Sequence, residues 1–130
     1  MKKLLLILLL LCSIKAGAQT YYYRTTEFAC KQTYGSWSDW EDSNLLVIIN
    51  FDKDIVKIKS ATEQVYRITE YVRNYTDASG GQQIVFNFID QDYDRGIMRL
   101  RIEQNGNSQI YIEFSNVMWV YNVIRVSRYY

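Results

Sequence analysis

Apolar and polar residues alternate along most of the chain after residue 20, and a period of two is typical of β-strands. The clearest case is 97–103, where Met98, Leu100 and Ile102 alternate with two arginines and a glutamate. Successive side chains of a strand point to opposite faces. This segment therefore predicts a strand with one buried and one solvated side.

Turn chemistry separates this strand from the next one. Asn105-Gly106 is a strong hairpin signal, because both residues tolerate the positive φ that a type I′ turn requires. Apolar residues then return at every second position from Ile110 to Phe114. The two segments together predict an antiparallel hairpin.

The same pattern recurs along the chain and predicts an all-β fold. Further strands are predicted at 21–30, 45–51, 55–59, 84–89 and 117–126. Seven or eight such strands joined by tight turns form a single small antiparallel meander. A meander of this length is expected to curl into a closed or partly closed barrel, and a β-sandwich is the alternative.

Residues 62–76 fit the strand pattern least well. Four of them fall at helical spacing: Val65, Ile68, Val72 and Tyr75. Ser60 and Glu63 could form a capping box before them, and a helix here would make the fold α+β. The β-branched and aromatic residues of 65–69 favour a strand instead, with a bulge near Glu70 to explain the later spacing.

The first eighteen residues have the parts of a cleavable secretory signal peptide. Met1-Lys2-Lys3 is a basic start, Leu4 to Leu11 is an apolar run, and Ala16-Gly17-Ala18 supplies the small residues before the cleavage site. We expect cleavage near Ala18 and export to the periplasm or the medium. The alternative is a lipid anchor on Cys12.

Cleavage changes the charge of the remaining domain, residues 19–130. The loss of three lysines leaves twelve basic against fourteen acidic residues, so a net charge of +1 becomes −2. Such a domain has no overall attraction to nucleic acid, and the short apolar run predicts no transmembrane segment in the mature protein.

Cys30 is the only cysteine after the predicted cleavage site, so no internal disulfide is expected. We predict that it is a small buried residue on a strand. A reactive thiol is the alternative.

The chain contains no histidine, which excludes Ser-His-Asp and Cys-His catalysis and histidine-ligated zinc. Carboxylate pairs could still catalyse hydrolysis, but no pair stands out among the fourteen acids. The sequence therefore favours a protein that is not an enzyme and that needs no cofactor.

Asp90, Asp92 and Asp94 place acids at every second position of one segment, where they could turn toward a calcium ion. The segment resembles the opening of an EF-hand loop. Its glycine, Gly96, comes one place late, and Arg101 stands where the bidentate glutamate belongs. A solvated acidic hairpin turn is therefore preferred over an ad hoc calcium site.

Trp37-Ser38-Asp39-Trp40 resembles the Trp-x-x-Trp motifs of thrombospondin type 1 repeats and of cytokine receptors. The chain lacks the cysteines that follow the motif in the first family, and it has Glu41 where the second family has a serine after the second tryptophan. The pair is expected either to close one end of a barrel or to form an exposed stacking platform.

Gly35-Ser36-Trp37 is similar to the Gly-x-Trp of lipocalins, in which a late arginine covers the tryptophan. Arg125 or Arg128 could supply it. This resemblance implies a small barrel that carries an apolar ligand.

Taken as a whole, the chain resembles short exported all-β proteins of Gram-negative bacteria. We expect a binding protein whose exposed aromatics contact a glycan or a protein partner. A carrier of a small apolar ligand and a structural or inhibitory partner protein are the alternatives. The candidate contact residues are Trp37, Trp40, Tyr21, Tyr22, Tyr23 and Trp119.

Overall fold

The computed structural model describes residues 20–103 and 107–126, and its regular elements within these ranges are all β-strands. They are β1 (Thr20–Gln32), β2 (Glu41–Asp42), β3 (Leu46–Asn50), β4 (Ile55–Lys59), β5 (Gln64–Thr76), β6 (Gln82–Asp90), β7 (Arg95–Ile102), β8 (Asn107–Glu113) and β9 (Val117–Arg125). The predicted all-β class is confirmed. The signal-peptide segment and the Asn105-Gly106 turn lie outside the described residues.

Eight of the strands form a closed antiparallel barrel in which chain neighbours are also sheet neighbours. β1 pairs with β3, each later strand pairs with the next, and β9 pairs with β1 to close the cylinder. The two-residue β2 adds to β1 at Glu27 and Phe28. The barrel is therefore the predicted meander, and the sandwich alternative does not apply.

The barrel interior is packed with the inward residues of the strands. Six of the fully buried side chains belong to neighbouring strands β6 to β8: Phe86, Phe88, Met98, Leu100, Ile110 and Ile112. The burial of each large apolar side chain stabilises the fold by about 1.5–3 kcal/mol. Because side chains fill the centre of the barrel, a ligand could be accommodated only near its two ends.

β5 is a strand throughout, so the helix alternative for residues 62–76 is wrong. Its register against β6 shifts between Ile68 and Glu70 and again between Tyr71 and Arg73. The first shift lies at the predicted bulge near Glu70. Because the first shift inserts one extra residue between them, Ile68 and Tyr71 both face the core although they are three positions apart.

The second half of β5 extends past its neighbour on one side. β4 pairs with β5 only from Gln64 to Arg67, whereas β6 follows β5 as far as Thr76. The hairpin of β5 and β6 therefore extends beyond the turn between β3 and β4 at this end of the barrel. Tyr71 links this hairpin to the β3–β4 turn, since its hydroxyl donates a hydrogen bond of 2.9 Å to Asp54 Oδ1.

Cys30 lies on β1 as predicted, but it is exposed, so the expectation of a buried thiol is wrong. Its neighbour on one side is Trp119 of β9. On the other side β3 pairs only as far as Arg24 and β2 only with Glu27 and Phe28. Cys30 thus lies where β1 extends beyond β2 and β3 and, among the described strands, is paired only with β9.

Candidate functional site

The barrel has two open ends with different chemistry. The β4–β5, β6–β7 and β8–β9 turns meet at one end, which we call the polar mouth. The start of β1, the end of β9 and the β3–β4 and β5–β6 turns meet at the other end, which we call the tyrosine mouth. A cavity opens at each mouth.

The polar mouth holds a cavity of about 660 Å³. Three segments supply most of its wall: the start of β5, the β6–β7 turn and the β8–β9 turn. The polar and aromatic side chains in this wall include those of Gln64, Tyr66, Asp90, Asp94, Arg95 and Trp119. Carboxylate, amide, guanidinium and aromatic groups therefore surround one space.

Aromatic rings form a continuous chain beneath this cavity. The ring centroids of Tyr66 and Phe88 are 5.0 Å apart, those of Phe88 and Phe114 are 5.3 Å apart, and those of Phe114 and Trp119 are 5.6 Å apart. Edge-to-face and tilted contacts of this kind hold rings in fixed positions. The indole Nε1 of Trp119 is buried and has no hydrogen-bond partner among the described residues.

The polar groups at the start of β5 are oriented by their neighbours. The Tyr66 hydroxyl donates to Gln64 Oε1 at 2.8 Å, and Gln91 Oε1 accepts the Val65 amide N–H at 3.2 Å. Burial, with smaller contributions from Tyr121 and Asp90, raises the pKa of the Tyr66 phenol well above its usual value. The Tyr66 hydroxyl thus keeps its proton and donates a hydrogen bond to Gln64 at the wall of the cavity.

The acidic segment forms a tight turn. Asp90 Oδ1 accepts the backbone N–H groups of Asp92 and Asp94, both at 2.9 Å, and Tyr93 has a positive φ of 65°. Within the described residues, no three acidic or cysteine side chains are grouped so that they could hold a metal ion. The structure thus uses Asp90 to shape the turn and does not gather Asp90, Asp92 and Asp94 around a calcium site.

Exposed aromatic side chains stand around the same end of the barrel. Tyr34 is 100% exposed, Tyr93 83%, Trp40 46% and Trp37 42%. Tyr93 lies in the β6–β7 turn, and the other three lie between β1 and β2.

The loop that carries Tyr34 and Trp37 is tied to the barrel. Ser38 donates its N–H to the Cys30 carbonyl at 2.8 Å, and its hydroxyl accepts the Cys30 N–H at 2.9 Å. Lys31 Nζ lies 5.9 Å from the centroid of the Trp37 ring. These contacts hold the aromatic loop beside the polar mouth.

The six aromatic residues predicted as contacts do not form one surface. Trp37 and Trp40 are exposed near the polar mouth, and the partly buried Trp119 lines its cavity. Tyr21, Tyr22 and Tyr23 begin β1 at the opposite end; the first two are half-buried and Tyr23 is 2% exposed. Tyr23 is thus part of the core.

The sequence pattern did not indicate Tyr66 and Gln64 in the cavity wall, or the exposed Tyr34 and Tyr93 near it. Turn chemistry could have indicated two of them, because Tyr34 precedes Gly35 and Tyr93 lies within the acidic turn. Nothing in the local pattern distinguishes Tyr66 or Gln64 from other strand residues.

The tyrosine mouth holds a smaller cavity of about 340 Å³. Its lining residues are Tyr21, Tyr23, Phe51, Asn74, Gln82, Ile84, Leu100, Ile102, Ser108 and Arg125. The guanidinium carbon of Arg125 lies 4.7 Å from the centroid of the Tyr21 ring. Arg125 is therefore not the arginine that the lipocalin resemblance places over Trp37, and Arg128 lies outside the described residues.

Comparison with known proteins adds no relative: no family model, no curated protein and no solved structure matches the chain. Among the residues that the structure describes, no helix has the length and apolar character needed to cross a membrane.

Proposed function

We propose that this chain is an exported, non-enzymatic binding protein whose polar mouth binds a neutral glycan. The observation that carries the proposal is an open cavity lined by aromatic and hydrogen-bonding side chains, with further exposed aromatic rings in the adjoining β6–β7 turn and β1–β2 loop.

The chemistry of the mouth matches the two kinds of surface that a sugar ring presents. The hydroxyl groups of a sugar pair with carboxylates, amides and guanidinium groups, such as those of Asp94, Gln64 and Arg95. The C–H faces of a sugar pack on aromatic rings, such as that of Trp119 in the cavity wall and that of Tyr93, which is exposed in the turn between the lining residues Asp92 and Asp94. An apolar ligand would leave the polar groups of the mouth without partners, which disfavours it.

The charge of the mouth favours a neutral glycan over an acidic one. Asp90, Asp92 and Asp94 line it together with Arg95 as the single cation among the described lining residues. Acidic sugars would meet this excess of negative charge and bind less well.

An array of neutral and acidic oligosaccharides, followed by calorimetric titration with the neutral oligosaccharide that binds best, tests the proposal. Tyr93→Ala and Trp37→Ala are expected to weaken binding roughly three- to tenfold each, because each removes a stacking surface. Tyr75→Ala is the matched control: Tyr75 is also an exposed aromatic, but it lies near the last residue of β5, at the opposite end of the barrel.

The proposal is wrong if no neutral oligosaccharide binds at millimolar concentration. It is also wrong if Tyr75→Ala weakens binding as much as Tyr93→Ala does. Preference for acidic over neutral oligosaccharides would contradict the argument from charge.

A further inference from the structure

We propose that the tyrosine mouth is a second ligand site, at the opposite end of the barrel from the polar mouth, and that it takes a small amphipathic anion. The ligand class is a carboxylate or similar anion with a short apolar tail. This inference does not depend on the glycan proposal, because the two cavities share no lining residue.

The walls of the cavity are mainly apolar. Ile84, Leu100 and Ile102 come from neighbouring strands β6 and β7, and Phe51 comes from the β3–β4 turn. Transfer of apolar ligand surface from water to such a wall is favourable by roughly 25 cal/mol per Å². The wall therefore accounts for an apolar tail.

The size of the cavity limits the tail. At about 30 Å³ for each non-hydrogen atom, as in liquid water, 340 Å³ accommodates a ligand of on the order of ten such atoms. The space cannot extend deeper, because rings close it from below: Phe51 lies 6.1 Å from Tyr71 and 6.5 Å from Phe86, centroid to centroid. Below them the core is filled, and Met98 and Ile110 are fully buried.

One cation faces this cavity. Arg125 is the only charged residue among its described lining residues, and its guanidinium stacks on Tyr21 at the cavity edge. The positive charge also reaches Tyr23: burial raises the pKa of the Tyr23 phenol, and Arg125 opposes that rise. An anionic head group beside Arg125 would gain a charge-assisted hydrogen bond.

The acids at the same end of the barrel are directed elsewhere. Asp77, in the β5–β6 turn, accepts hydrogen bonds from the Ser79 hydroxyl and the Gly81 N–H through Oδ1 and from Gln83 Nε2 through Oδ2. Glu103 lines a separate cavity with Thr26 and Glu27. In the β3–β4 turn, Asp54 accepts a hydrogen bond from the Tyr71 hydroxyl. No acid, including Asp52 of the same turn, is among the described residues that line the tyrosine mouth, so Arg125 gives the cavity a positive charge.

Polar groups at the same mouth can complete the recognition of a head group. Gln82 Nε2 donates to Asn74 Oδ1 at 3.2 Å, which aligns two amides at the cavity edge, and the buried Ser108 adds a hydroxyl. Few polar groups on an apolar wall are the usual composition of a small-molecule site.

Calorimetric titration of the mature chain with three eight-carbon probes tests the inference: octanoate, octanol and octylammonium. Octanoate should bind more tightly than octanol, and octylammonium should bind weakest. Arg125→Met should weaken octanoate binding roughly tenfold or more and leave octanol binding nearly unchanged.

Arg99→Met is the matched control. Arg99 is exposed like Arg125 and also stacks on a tyrosine, with its guanidinium carbon 4.6 Å from the Tyr111 ring centroid, but it does not line the tyrosine mouth. Both variants remove one positive charge, so a general charge effect would appear in both.

Equal binding of octanoate and octylammonium would overturn the inference, and so would equal losses in Arg125→Met and Arg99→Met. Absence of octanoate binding to the wild-type chain would also overturn it. Glycan binding at the polar mouth should be the same in Arg125→Met as in the wild type, so the two proposals can fail separately.

Discussion

At the scale of single residues, Gly96 lies at a place where a larger residue would not fit between the neighbouring strands. A Cβ atom at this position would lie 2.5 Å from the backbone oxygen of Glu113 and 2.5 Å from Cζ of Phe88. Phe88 is opposite Gly96 in the β6–β7 register, and its ring belongs to the chain of rings beneath the polar mouth. The absent side chain of Gly96 is what lets this ring reach its place.

We expect Gly96→Ala to lower the free energy of unfolding by about 1–3 kcal/mol, because the added methyl group must displace both a backbone and a buried ring. Urea unfolding followed by tryptophan fluorescence measures the change. Gly35→Ala is the control: the nearest atom to its Cβ would be 3.6 Å away, an ordinary contact, and we expect a change within about 0.5 kcal/mol. Equal unfolding midpoints for the two variants would contradict the steric explanation.

At the scale of elements, β5 differs from the strand beside it. Beyond Ile68 it pairs with β6 alone, whereas β6 has β5 on one side and β7 on the other. Its two register shifts occur in this one-sided part. Bulges interrupt the regular spacing of the free N–H and C=O groups along an edge strand, and so hinder its pairing with a strand of another chain.

Amide hydrogen exchange should reveal this difference. We expect the N–H groups of 69–76 that point away from β6 to exchange much faster than those of 82–87, which lie between two strands. Exchange followed by NMR at single-residue resolution is the measurement. Uniform protection across β5 and β6 would show that the outer edge of β5 is covered in solution.

At the scale of the whole molecule, buried phenols are a collective feature of the core. Four tyrosines have pKa values raised mainly by burial: Tyr23, Tyr66, Tyr71 and Tyr121. For Tyr71 the hydrogen bond to Asp54 adds to the effect. The folded chain therefore keeps phenolic protons that the unfolded chain loses above a pH of about 10.

This difference predicts alkaline destabilisation. Stability from these groups is fully present below the unfolded pKa, and it is lost as the pH rises from about 10 toward the raised pKa values of the folded state. Urea unfolding at pH 8 to 11.5 should show a falling free energy of unfolding in the upper part of this range. Tyr71→Phe should make the fall less steep, whereas Tyr34→Phe, at a fully exposed position, should not. A stability that is constant up to pH 11.5 would contradict the prediction.

The local sequence determined the elements of this protein. Alternation at Met98, Leu100 and Ile102 identified a strand because a period of two is a property of a few consecutive residues. The β-branched and aromatic run at the start of β5 likewise identified a strand, and the three-residue spacing after Ile68 indicated its bulge. The number of such strands and the short turns between them were enough to predict the meander and its curling into a barrel.

Only the tertiary structure decided how distant residues meet. Pairing of β1 with β9 closes the barrel, and it joins segments about a hundred residues apart whose register no local pattern specifies. The length of each pairing left Cys30 exposed beyond β3, although its strand was predicted correctly.

The same long-range pairing determined the candidate sites. Closure brought Trp119, Tyr66 and Asp94 to one mouth and Arg125 with Tyr21 to the other, and it buried Tyr23 although its neighbours Tyr21 and Tyr22 are half-exposed. Hydrophobic periodicity tells which face of a strand is buried, but not which strand ends share an opening. That assignment depends on the order, register and closure of the whole sheet.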